Sequence, residues 1–157
     1  MQNIAAILDN LGPSQKSFYL IKEFNKLSAN TEYSCSVFVN QVNMPVIPAL
    51  FSCSNISFFS GFSGVAVATT LTEANSLLQT TNSADKYLYL WDIEWLTQVP
   101  NFTSVCNILR DERLSIIARS DSHAAIIESF CNKAPVGIVD DWNMADFDSL
   151  IHNKRNV

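Results

Sequence analysis

Residues Leu114–Phe147 read LSIIARSDSHAAIIESFCNKAPVGIVDDWNMADF. A run apolar but for Ser115, Leu114–Ala118, passes straight into the polar cluster Arg119-Ser120-Asp121-Ser122-His123, which opens a helical stretch. A second apolar run, Val136–Val139, ends at Asp140-Asp141-Trp142-Asn143. Unbroken β-branched runs are the mark of strands buried on both faces, as in a parallel sheet covered by helices. Polar clusters at their carboxyl ends mark the edge where ligands of open α/β sheets bind.

The same grammar extends toward the N-terminus. Ile4–Leu8 is apolar and ends at Asp9-Asn10-Leu11-Gly12-Pro13-Ser14, where Ser14 can cap a helix whose stripe is Phe18, Leu20, Ile21, Phe24 and Leu27. A strand is predicted over Tyr33–Val39, followed by an irregular connection at Pro45 and Pro48. Ile56–Phe59 and Val65–Ala68 read as short strands, or as one strand broken at Gly61–Gly64. Thr70 or Thr72 caps the next helix, with Ala74, Leu77 and Leu78 facing inward. Tyr87–Trp91 is a strand ending at Asp92-Ile93-Glu94-Trp95, Phe102–Leu109 is helical, and a last helix spans Met144–Ile151. The alternation predicts a doubly wound, mostly parallel, Rossmann-like α/β sheet in three layers. Residues 1–157 read as one domain with a polar, fraying tail over 152–157.

Composition narrows the function classes. The 157 residues carry a net charge of -5, and the ten Lys and Arg form no cluster beyond Lys154-Arg155, which argues against phosphate-backbone binding to nucleic acid. There is no basic amphipathic face and no apolar run of the roughly 18–20 residues a membrane span needs. Met1-Gln2-Asn3-Ile4 lacks the features of a signal peptide, so the expected location is the cytoplasm. Cys35, Cys53, Cys106 and Cys131 have no metal-ligand spacing and read as small, reduced hydrophobes. In that setting, the sequons at Asn55-Ile56-Ser57 and Asn101-Phe102-Thr103 carry no weight.

Four clusters are expected at the carboxyl edge. In the first, Asn10, Gly12 and Ser14 could cradle a ligand at a helix N-terminus, although neither G-x-G-x-x-G nor a Walker pattern is present. In the second, Asp92 and Glu94 could act as general base or bind sugar hydroxyls beside Trp91 or Trp95, and no further ligands complete a metal site. In the third, Ser120 or Asp121 caps the helix, His123 is a candidate base, and the Arg119 fork suits anions. The fourth holds Asp140 and Asp141, with Asn143 and Asp146 resembling a helix-start signature. Each cluster also has a plain reading as strand end plus helix cap. A Ser-His-Asp hydrolase lacks its nucleophile elbow, and a phosphoacceptor receiver lacks its acidic pair and strand-end Lys. A flavodoxin lacks its phosphate loop.

The order of these clusters resembles the N-terminal, acceptor-side half of a GT-B glycosyltransferase, of the sort that builds sugar polymers or modifies phage DNA. The matching elements are Ile4–Ser14, Leu90–Leu96, Ile116–His123 and Val136–Phe147. Where the family's closing turn carries Asn-Gly this chain carries Asp140-Asp141, and the Gly-Gly of the first loop is reduced to Gly12. The resemblance implies catalytic roles for Asp92, Glu94 or His123 on an acceptor hydroxyl. It implies ligand-binding roles for the Gly12 loop and Arg119, and a nucleotide-sugar as the ligand. In the family a donor-binding domain follows where this sequence reaches Val157. Two expectations stay open: a binding or assembly module, alone or as a homo-oligomer, and the acceptor-side part of a transferase completed by a donor-domain partner.

Overall fold

The computed structural model describes residues 2–97 and 101–155. Its first strand, β1 (Gln2–Leu8), shows how the sheet is built. Ile4, Ala6 and Leu8 enter one apolar cluster, Ala5 and Ile7 the other, and none is more than 1% exposed. A period of two between two covered faces yields an unbroken apolar run. The remaining strands are β2 (Tyr33–Val39), β3 (Ser52–Asn55), β4 (Val65–Ala68), β5 (Asp85–Leu90), β6 (Leu114–Ala118) and β7 (Gly137–Ile138). All are parallel, in the order β3-β2-β1-β4-β5-β6-β7. This is the doubly wound, Rossmann-like sheet that the sequence predicts.

Helices α1 (Gln15–Ser28) and α6 (Met144–Arg155) cover one face, the latter through Phe147 and Ile151. A 3-10 helix (Ile56–Gly61), α2 (Leu71–Gln79), α4 (Phe102–Arg110) and α5 (Asp121–Cys131) cover the other; a short α3 (Glu94–Thr97) follows β5. In α1, Leu20, Ile21 and Phe24 are fully buried, each contributing on the order of 1.5–3 kcal/mol, while Phe18 of the expected stripe is exposed. Caps fall where polar side chains precede the helices: Ser14 accepts from Ser17 N, Thr70 from Glu73 N and Ser120 from His123 N. Both sequon asparagines are caps as well, Asn55 for the 3-10 helix and Asn101 for α4. Thr70, not Thr72, therefore starts α2.

Several boundaries differ from expectation. Ile56–Phe59 is not a strand: Asn55 caps the 3-10 helix there, and Phe59 drops into the core against Phe38 and Phe62. The strand is the polar segment before it, Ser52–Asn55, which an edge position allows to remain exposed. Val136–Val139 shrinks to Gly137–Ile138, because β7 is the opposite edge and only Val139 of that run is buried. Helix α6 runs through Arg155, past the expected end at Ile151; residues 156–157 lie outside the described residues. Of the cysteines, Cys35, Cys106 and Cys131 are buried as expected, whereas Cys53 is exposed on β3. Among the described residues no helix is long and apolar enough to cross a membrane.

Candidate functional site

The chain builds β1, β2 and β3 outward in one direction, then returns to place β4 on the other side of β1. Loops leaving β1 and β4 consequently diverge, opening a crevice at their carboxyl ends. A cleft of about 380 Å³ lies at these carboxyl ends, lined by Asp9, Lys16, Asn40, Thr69, Thr70, Thr72, Glu73, Asp92 and Glu94. These residues follow β1, β2, β4 and β5 or open α1 and α2, so four strand ends contribute.

At its base is a hydrogen-bonded chain. Lys16 Nζ donates to Thr69 Oγ1 at 3.1 Å. Thr69 in turn donates both its hydroxyl (2.9 Å) and its backbone N–H (3.0 Å) to Glu73 Oε2. Glu73 occupies the third position of α2 in Thr70-Leu71-Thr72-Glu73, the sequence of a capping box. Burial pushes its carboxyl pKa up, while the Lys16 ammonium and the Thr69 donors pull it down. Glu94 approaches from β5 and accepts from Leu71 N at 3.1 and 3.3 Å, placing a carboxylate on the positive end of α2. Burial raises its pKa too, partly offset by that backbone N–H and by Lys16. Asp92 is exposed on the rim and accepts no hydrogen bond from the described residues. Lys16 is the cleft's one cation, and Thr69 is its one hydrogen-bond partner among the described residues.

The other expected site residues lie on the same sheet edge but outside this lining. Asn10 accepts from Gly12 N at 2.8 Å and donates to Asp9 Oδ2 at 2.9 Å. A Cβ at Gly12 would meet Asn10 Oδ1 at 2.9 Å, so this glycine serves a tight turn. Ser14 is occupied as the α1 cap. Arg119, directly after β6, pairs with Asp141 Oδ1 at 2.7 Å, and its guanidinium carbon lies over the Trp91 ring, 3.9 Å from the centroid. Ser120 caps α5 and bonds Ser122. His123 sits in the first turn of α5 with Nδ1 enclosed and without a partner among the described residues. Asp140 and Asp141 follow β7, and Asn143 accepts from Ala145 N at the start of α6.

Of the sequence candidates, the cleft gathers Asp92 and Glu94 and leaves Asn10, Gly12, Ser14, Arg119, Ser120, His123, Asp140 and Asp141 elsewhere. Lys16, Asn40, Thr69 and Glu73 escaped sequence reasoning. Thr70-Leu71-Thr72-Glu73 was a signal that could have found one of them: a capping-box glutamate directly after a strand falls at the carboxyl edge.

No family model matches this chain. Nor does any curated protein or solved structure. The chemistry must therefore be read from the cleft itself. Its lining joins hydroxyls and an amide to four carboxylates and one ammonium. Carboxylates accept hydrogen bonds from ligand hydroxyl or amino groups, and Lys16 can donate to a ligand oxygen. An arrangement this acidic repels a diphosphate. Among the described residues no three or more His, Cys, Asp or Glu side chains are grouped as metal ligands.

Proposed function

We propose that this protein is a Rossmann-like binding module of glycosyltransferase-like architecture, which takes a small polyhydroxylated ligand of the sugar class in the cleft between the β1 and β4 ends. The observation that carries this reading is the position of the cleft at the reversal of strand order, with hydroxyl-accepting carboxylates on its walls. Its charge favours the acceptor-side part of the GT-B reading over the nucleotide part, because the lining places one ammonium against four carboxylates.

A second reading, the acceptor-side part of a transferase completed by a donor-domain partner, draws on Asp92. This carboxylate is free on the rim, where a general base for an acceptor hydroxyl would stand, whereas Glu94 is committed to the α2 N-terminus.

A thermal-shift panel of neutral sugars, amino sugars, nucleoside diphosphates and nucleotide-sugars tests the reading. A sugar at about a hundredfold over its Kd adds roughly 2.7 kcal/mol, or several degrees in a domain of this size. The expected result is a shift with sugars that Asp92→Asn reduces at unchanged unliganded Tm. A shift only with nucleoside diphosphates, or none with any member, overturns it. Turnover appearing with a donor-domain partner and lost in Asp92→Asn would select the second reading.

A further inference from the structure

The β3 edge carries an inference that does not depend on what the cleft binds. β3 pairs with β2 on one side and with no other strand among the described residues on the other. Its unpaired side presents a row of backbone N–H and C=O groups, a template for another strand. Natural edges are commonly blunted by brevity, lysine, proline, glycine or a bulge; β3 is short at four residues but twice the length of β7, and Ser52-Cys53-Ser54-Asn55 contains no Lys, Pro or Gly.

The surrounding chain is charge-free as well. From Tyr33 to Thr72 there is no Asp, Glu, Lys, Arg or His, so the net charge of -5 is carried entirely by the rest of the molecule. This segment spans β2, β3, both flanking connections, the 3-10 helix and β4. It also carries large apolar side chains left exposed before and after β3, among them Met44 at 88%, Leu50 at 73% and Phe58 at 72%. The opposite edge differs: β7 is two residues long and lies in the chain between Lys133 and the Asp140-Asp141 pair.

Charge selects the occupant. About a two-fold axis each copy presents the same segment to the other, so like-charged edges repel, whereas two copies of this charge-free segment meet without the repulsion that the net charge of -5 imposes elsewhere. We propose that β3 is a self-association edge: two copies pair β3 to β3 antiparallel about a two-fold axis, joining their seven-stranded sheets into one. Such pairing sets Cys53 opposite, or one step diagonal to, its own copy, where directly opposed Cα atoms lie roughly 4.5–5.5 Å apart.

The test is light scattering on the eluting protein, with a short bis-maleimide as crosslinker. Cys35, Cys106 and Cys131 are buried, so crosslinking reports on Cys53. The expected mass is twice the 17.5 kDa of the chain, with a covalent dimer that Cys53→Ser abolishes while leaving the scattering mass unchanged. Cys53→Lys, which sets like charges against each other at the axis, returns the mass to that of a single chain, and Ile126→Glu on α5, packed on β6 toward the other edge of the sheet, does not. A monomer across the accessible concentration range overturns the proposal. So does a dimer that yields no Cys53 crosslink, or one that Ile126→Glu dissociates and Cys53→Lys spares. The crosslink needs no variant, so a poorly folding Cys53→Lys leaves the proposal testable.

Discussion

The Arg119 guanidinium carbon lies over the Trp91 ring, 3.9 Å from its centroid, while Nη2 donates to Asp141 Oδ1 at 2.7 Å. One side chain at the end of β6 thus ties the residue after β5 to the turn after β7, across three neighbouring strands. Asp141 and Trp142 both have left-handed backbone, at φ 43° and 61°, so this turn is held in a conformation that non-glycine residues adopt at a cost.

Arg119→Met keeps the stem on Trp91 and removes the charge, and Asp141→Asn keeps a side chain tolerant of positive φ. Each should cost about 1 kcal/mol, since the pair is roughly one-third exposed. The double variant should cost less than the sum by about 0.5 kcal/mol or more in urea unfolding, with the coupling shrinking in high salt. Sugar binding in the cleft should be unchanged in both single variants.

Glu73 and Glu94 should make neutral pH less favourable for stability than mildly acidic pH. Their folded pKa values lie above the ordinary value, chiefly through burial. The folded state therefore binds their protons more tightly, and the contribution is fully present below the unfolded pKa and lost as pH rises through the folded one. Glu73→Gln should flatten the fall in Tm above pH 4.5. Asp111 acts in the opposite direction. Hydrogen bonding to Arg113 lowers its pKa to about 2, so its contribution is present above pH 4 and is lost as pH falls toward 2. Asp111→Asn should remove part of the acid-side loss, a small part because the pair is on the surface. A Tm series from pH 2 to 8 checks both.

Gly64 has φ +132°, and a Cβ there would run into the backbone carbonyl of Asn3. Neither the backbone angle nor the neighbouring strand can yield cheaply, so Gly64→Ala should destabilise by about 2 kcal/mol or more. Gly61→Ala, whose added Cβ would meet nothing within 4 Å, should cost under about 1 kcal/mol. Paired chemical denaturation curves distinguish the two.

Tyr89 donates its hydroxyl to Val139 O at 2.7 Å in the core, closing β5 onto the end of β7. Tyr89→Phe leaves a buried carbonyl without its donor and should cost about 1–3 kcal/mol. Amide exchange should rise first around Val139–Trp142 if the bond anchors that turn.

Much of the architecture is legible in local sequence because its causes are local. Ile4–Leu8 and Val65–Ala68 are apolar throughout, and Leu114–Ala118 is apolar but for the buried Ser115, because both faces of each strand are covered. Ser14, Thr70 and Ser120 cap helices because their own oxygens reach the N–H groups that follow. β3 escaped because an edge strand need not be apolar, and Ile56–Phe59 misled because a polar cap turned an apolar run into a helical turn.

The cleft was only half legible for a different reason. Sequence placed Asp92 and Glu94 at the carboxyl edge, but whether they meet anything depends on which strand ends are neighbours. Returning the chain to set β4 beside β1 brings Lys16, from the helix after β1, to Thr69 at the end of β4, 53 positions along the chain. The same order leaves Arg119 and Asp141 to satisfy each other two and three strands away from β4. Alternation, capping and burial are short-range and are written in the residues themselves. The company a strand end keeps is set by strand order, a long-range outcome of packing helices on both faces of one twisted sheet, and only the tertiary structure decides it.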